Sequence, residues 1–492
     1  MRIGLVPLDN RPACVRAPRM LARVAGAELV LPPPEAIAGH QSPGPPAALD
    51  EWLRDTAGSL DGLVVAIEQV AGVSSSLGER PTSVTAIRRL EALRDVRRQH
   101  PEVQLVASTV ARRPDAEPAG EHASALAELD ELSDRRSRGE DVTAEISAAE
   151  AAIPESVRRQ VAAARLAAHM VQLAALDLAA DATLDLLVIG TGAMNTTDAD
   201  LPGSWVTTWQ RQLLLGQRVE VLPADVQLGN SLVMRLLNRE RSQPVRVGFY
   251  SPVPGAEKRP VAEGAVTVAR TVLRELRVLG AESAASDVDF VLALHPPPSV
   301  DNAPAVSDAD PERAAATLAD ELTRLHALDV PVALADIASG DGGSSTLVER
   351  LRSRVDLPRL AGYAAGQTAG DAVASALTQG CAGAAASTDA ARAAHELWLL
   401  HRLLDDWAYQ GKVRERIRRR LTNDTGSSEP TEDSLAAVQV DIERDLSGIL
   451  AQLPRFTGRY RIVPGSTRLP WRRTDECDFE LERLDVPLAE RR

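Results

Sequence analysis

At 492 residues, 44% apolar and 25% charged, the chain is too long for one ordinary core and too apolar to remain disordered. Its formal net charge of −14, from 55 Lys and Arg against 69 Asp and Glu, repels phosphate backbones and argues against an unaided nucleic-acid function. Cys14, Cys381 and Cys477 lie far apart with no CxxC pair, which argues against a disulfide framework or zinc ribbon and for a reducing compartment.

The N-terminus, MRIGLVPLDNRP, moves from a short apolar run straight into a polar loop, without the length or cleavage site of a signal peptide. No later apolar stretch is expected to approach a membrane span, so a cytoplasmic location with no membrane partner is the expectation. Strands are predicted at Arg2–Pro7, Glu28–Leu31, Gly62–Ile67, Val103–Ala107, Leu184–Ile189, Val219–Leu222, Arg246–Tyr250, Asp289–Leu294 and Val330–Ala335. Amphipathic helical patterns lie between most of them, including Ala47–Ala57, Ser83–Gln99, Ser231–Arg239 and Pro311–Leu328. This alternation predicts an α/β fold of mostly parallel β/α units, barrel-like or doubly wound. The Ala-, Glu- and Arg-rich stretch 117–178 carries no strand signal and reads as an inserted helical hairpin. A polar break at RERSQPV suggests an N-terminal α/β domain over 1–240 and a second over 245–388. From 389 to 492 a helical region, with one long helix through Leu421, is expected to pack on the core.

In parallel α/β folds ligands bind beyond the carboxyl ends of the strands. That rule selects Asp9, Asn10 and Arg11 after the first strand, and Glu68 and Gln69 after the third. It also selects Arg112 and Arg113 after the fourth, and Asp336 with Asp341 after the ninth. In PLDNRP, Pro7 ends a strand and Pro12 can open a helix, so Asp9 and Arg11 project from a stiff loop; they either orient a polar ligand or form a local cap and salt bridge. The turn SGDGGSS, Ser339 to Ser345, offers a cradle for an anion, but it lacks a Walker lysine and Ser344 or Ser345 serves equally as a helix cap. Gly190-Thr191-Gly192 has Asn195 where a dinucleotide fingerprint needs its third glycine, and His395, Glu396 and His401 miss metalloprotease spacing, so neither cofactor nor metal is expected. Asp405, Asp406, Trp407 and Tyr409 crowd one helical turn; adjacent Asp residues diverge by about 100° on an α-helix, which favours a packed Trp and solvated carboxylates.

Six segments in order carry a resemblance: PLDNRP (Pro7–Pro12), LVLPP (Leu29–Pro33), LADIASGDGGS (Leu334–Ser344), LAGYAAGQTAGD (Leu360–Asp371), RLLDDWAYQGKVR (Arg402–Arg414) and LPWRRTDE (Leu469–Glu476). With them the chain resembles, nearly end to end, the bacterial family catalogued as domain of unknown function 4127. The family's pattern places an Asp-Asp-Asn run at the fifth strand's end, where this chain has Gly190 to Asn195, and Trp-Asn-Thr after the tyrosine, where this chain has Gly366-Gln367-Thr368. A paired carboxylate at a strand end is similar to that of substrate-assisted N-acetylhexosaminidases, so the resemblance implies glycan hydrolysis by analogy, weakened here by the altered positions.

Two functions are expected to compete. One is a carbohydrate-processing hydrolase using Asp9, Glu68, Asp225 or Asp336 as acid/base or substrate-holding carboxylates, with Asn10, Arg11, Arg112, Asp341, Tyr363 and Gln367 contacting substrate. The other is a binding or regulatory protein for a sugar or sugar phosphate that has lost the chemistry. In both, the partner is a small polar molecule; oligomeric state is left open.

Overall fold

The computed structural model describes residues 1–37, 39, 44–73, 81–111, 122–137, 139–191, 202–261, 266–296, 311–340, 342–366 and 368–484. The chain divides into two compact units. The first comprises Met1–Asn10, Ala27–Leu236 and Pro260–Val266; the second comprises Arg11–Gly26, Leu237–Arg259 and Thr267–Arg492.

The first unit is built on β1 (Arg2–Val6), β2 (Glu28–Val30), β3 (Gly62–Ala66), β4 (Gln104–Val110), β5 (Leu186–Gly190) and β6 (Val219–Leu222). All pairings are parallel, in the order β2-β1-β3-β4-β5-β6. β3 and β5 are buried at every position, which is why GLVVA and LLVIG read as unbroken apolar runs instead of alternating ones. Leu63, Val65, Leu105, Leu187 and Ile189 meet Leu53, Leu93 and Leu176 from the covering helices, each contributing roughly 1.5–3 kcal/mol of burial. The insertion forms three helices, Ala123–Ser137, Thr143–Ala152 and Glu155–Ala180, where a hairpin was expected. The third corrects a second expectation: it has the length and composition of a membrane span, with one third of that window buried. Its C-terminal half, through Val171, Ala175, Leu176 and Ala179, belongs to the first unit's core.

The second unit carries β7 (Arg246–Tyr250), β8 (Glu282–Ser283), β9 (Phe290–His295), β10 (Val332–Asp336) and β11 (Gly362–Ala365), parallel in the order β11-β10-β9-β7-β8. Numbered within the unit, that is second, first, third, fourth, fifth, the same order as the first five strands of the first unit. Both sheets are therefore open and doubly wound, not closed barrels, and each has a switch point: between β1 and β3, and between β7 and β9.

Helix Asp389–Arg402 runs into an eleven-residue π-helix, Leu403–Val413, and continues as the α-helix Arg414–Thr425. Helix Glu432–Leu450, opened by a Thr431–Ser434 capping box, and the antiparallel pair β12 (Tyr460–Ile462) and β13 (Leu481–Arg483) follow. Leu404, Trp407, Ile442, Phe456 and Phe479 share one core with Leu334 and Tyr363 of the second sheet. The π-helical stretch thus lies against the strands whose carboxyl ends face it.

Candidate functional site

Asp336 closes β10 and is fully buried. His295 closes the adjacent β9, in register with it, and its Nδ1 lies 2.7 Å from Asp336 Oδ1. The other carboxylate oxygen, Oδ2, accepts the Ser344 backbone N–H at 2.6 Å. With Asp336 accepting at both oxygens, the imidazole proton sits on Nδ1 and Nε2 keeps the lone pair; this is the tautomer on which a catalytic role for His295 would depend. Among the described residues, Nδ1–Asp336 is the only side-chain hydrogen bond that His295 makes. Ser344 Oγ in turn accepts from Leu347 N and caps helix Ser345–Arg354. The capping reading of SGDGGSS holds, and the N–H that an outside anion would use at Ser344 is taken by the protein's own Asp336.

Tyr363 lies on β11, fully buried, with no hydrogen-bond partner for its hydroxyl among the described residues. Burial first, then the fields of Asp336 and Asp406, push the phenol well above its ordinary range, so it stays neutral. A Cβ on Gly343 would sit 2.0 Å from this hydroxyl and 3.1 Å from the Trp407 Cβ. The glycine therefore permits close approach of the loop to the tyrosine and the π-helix; Gly343 N donates to Asp406 O at 2.9 Å.

On the π-helix, Asp406 Oδ2 accepts Ala365 N at 2.8 Å and Oδ1 accepts from Arg402 Nη2. Arg402 Nη1 also lies 3.5 Å from Asp405 Oδ2. Arg402 and Asp406 are buried and Asp405 half-buried, so the expectation that both carboxylates are solvated is corrected; Trp407 is core, as expected. Burial raises both carboxyls above their ordinary range, against the opposing pull of Arg402. π-helical segments are concentrated at functional sites because the wider turn re-aims side chains.

A second polar cluster joins the two ends of the chain within this unit. Arg11 Nη1 pairs with Glu476 Oε1 at 3.1 Å, and its guanidinium stands 5.1 Å from the Trp471 ring centroid. Trp471 and Arg472 both have φ 57°, a left-handed conformation that costs a bulky residue about 1–3 kcal/mol. Arg16 Nη2 donates to Asp478 Oδ2 at 2.9 Å, and Tyr409 donates to Thr474 O at 2.8 Å.

The remaining candidates among the described residues, Glu68, Gln69, Asp9, Asn10 and Asp225, belong to the first unit. Glu68 follows β3 and accepts from Thr109 Oγ1 and Val110 N, both at 2.7 Å. Gln69 Nε2 donates to Leu8 O at 2.7 Å, tying the ends of β1 and β3 together at the switch point. Asp9 is half-buried and Asn10 exposed in the loop after β1; Asp225, half-buried, follows β6 and caps its own neighbour Val226 N. Arg112, Asp341 and Gln367 lie outside the described residues, as does 192–195. Of the sequence candidates, Asp336 and Tyr363 come together. His295, Arg402, Asp405 and Asp406 complete their surroundings and were not selected from sequence. The available signal for His295 was its place at a strand end immediately before Pro296.

A family model described as a protein of unknown function, DUF4127, matches residues 3–480. The chain belongs to the DUF4127 family. No curated protein and no solved structure matches it. The DUF4127 match contains every residue of the His295–Asp336 surroundings and both members of the Arg11–Glu476 pair, so the family's architecture includes both units and the C-terminal helices.

Proposed function

We propose that this DUF4127 protein is a hydrolase in which His295, oriented by Asp336, is the acid/base group, acting on a small polar, uncharged substrate of the carbohydrate type. The 2.7 Å His295–Asp336 contact at the strand ends beside the switch point carries this reading. Asp336 would hold the Nδ1–H tautomer and stabilise the imidazolium; Nε2 would take a proton from water as its oxygen attacks the substrate, then return it to the leaving group. Asp336 is thus a positioning residue and not one of a pair of carboxylates flanking a glycosidic bond. The excess of acidic residues disfavours polyphosphate ligands, and an uncharged polyhydroxylated molecule pays no such repulsion.

One observation favours binding without turnover: all four carboxylate oxygens of Asp336 and Asp406 are engaged by protein donors, as in a purely structural network. Thermal-shift screening against sugars, amino sugars and their phosphates, with product analysis for each stabilising compound, separates the two. Stabilisation with product that is lost in His295→Asn supports the hydrolase. Stabilisation without product supports binding.

A further inference from the structure

Among the described residues, both ion pairs of Asp405 and Asp406 go to the same cation, Arg402. The cluster faces Asp336, and through it His295, from β10 and β9, and Tyr363 from β11. From the C-terminal segment it faces Asp478, held by Arg16, and Cys477; from its own helix, His401 and Tyr409. With both carboxyls ionised, two adjacent negative charges share one guanidinium beside the negative Asp336, largely out of water. Asp406 receives two strong donors, Ala365 N and Arg402 Nη2, which favour its ionised form. Among the described residues Asp405 receives only the 3.5 Å contact, so a proton taken up by the pair belongs on Asp405.

We propose that Asp405 is the proton-carrying member of a latch. Protonated, it leaves Arg402 and Asp406 as a balanced pair, and Asp406 anchors the end of β11 through Ala365 N and the loop before Ser345 through Gly343 N. Ionised, it competes for Arg402 and loosens both anchors beside Asp336. The inference does not depend on the activity proposed for His295, because it is read without substrate.

The sign follows from burial, which raises the folded carboxyl above its unfolded value of about 4. The folded state holds the proton more tightly, so this stability is fully present below that range and is lost as pH rises through the folded value. The test is thermal unfolding of the full chain and of Asp405→Asn from about pH 3.5 to about pH 9, with amide-exchange protection at Ala365 and Gly343. The expected result is equal midpoints at the acid end and a variant increasingly more stable toward the alkaline end. Protection at the two amides should fall with pH in the wild type and persist in the variant. Parallel midpoint curves, or protection that falls equally in both proteins, would overturn the latch. If Asp405→Asn does not fold, infrared spectroscopy of the wild type decides: a protonated-carboxyl band at neutral pH that titrates away supports it, and its absence overturns it. Both readouts are taken on the full chain without substrate, so failure of the hydrolase reading and failure of the latch are separate results.

Discussion

His295 and Asp336 end neighbouring parallel strands at the same level, and their side chains meet at 2.7 Å with the carboxylate's second oxygen bonded to the Ser344 N–H. The short strand VALAD puts four small or branched apolar residues in the core and then one carboxylate at its end, so the sheet itself sets the position of the acid.

Asp336→Asn tests that dual role. An amide keeps one acceptor but turns an NH₂ toward a group that needs an acceptor, either His295 Nδ1–H or Ser344 N–H. A loss of about 1–3 kcal/mol is expected in denaturant unfolding. A variant as stable as wild type would show that the His295 bond and the Ser344 N–H bond to Asp336 are not both made.

Gly343 and Tyr363 should be energetically coupled. Gly343→Ala places a methyl where the phenol oxygen stands and is expected to cost about 1–3 kcal/mol by overpacking. Tyr363→Phe removes a buried hydroxyl that has no partner among the described residues, so alone it should be neutral or slightly stabilising. In the double variant part of the alanine penalty should vanish, the Trp407 contact at 3.1 Å keeping the rest. Additive effects would contradict the close approach.

Much of this arrangement was legible in the sequence. VEVL and RVGFY are rich in branched and aromatic residues, and the strands Val219–Leu222 and Arg246–Tyr250 form at the expected residues. The carboxyl-end rule found Asp336. GYAA did not read as a strand because two alanines and a glycine have low strand preference; it forms because Tyr363 packs in the core and pairs with Leu334 on β10. His295 stands directly after the expected strand end at Leu294, so the same rule reaches it, and it went unselected although that signal was present. Asp405 and Asp406 were misjudged for a geometric reason: the 100° separation holds for an α-helix, and an apolar pattern does not distinguish it from the π-helix that forms at Leu403–Val413. The pairing of Arg11 with Glu476 is a tertiary contact across 465 positions, for which a single sequence has no local signal.

Asp406→Ala would leave the buried Arg402 without its closest partner and Ala365 N without an acceptor. It should cost about 3–5 kcal/mol, measured by denaturant unfolding. Asp389→Ala, which breaks the exposed pair with Arg392, should move the midpoint far less. Equal effects would mean that the π-helical cluster does not hold the second unit together.

His401 supplies a pH dependence of the opposite sign to that of Asp405. It is buried and stacked on Phe479 at 4.4 Å, and burial first, then Arg16 and Arg402, lower it to about 3. Its stabilising contribution is present above the unfolded value of about 6.5 and is lost as pH falls through the folded one. His401→Phe, which keeps a stacked ring but cannot charge, should gain on the wild type progressively below about pH 6.5 in thermal unfolding. A constant offset between the two proteins across that range would argue that His401 does not titrate with unfolding.

The most direct measurement of the central claim is turnover by the wild type and by His295→Asn of whichever sugar-type compound stabilises the protein. The expected result is a variant that still binds but whose rate falls by about 10²–10⁴-fold. Turnover by His295→Asn at the wild-type rate would contradict it.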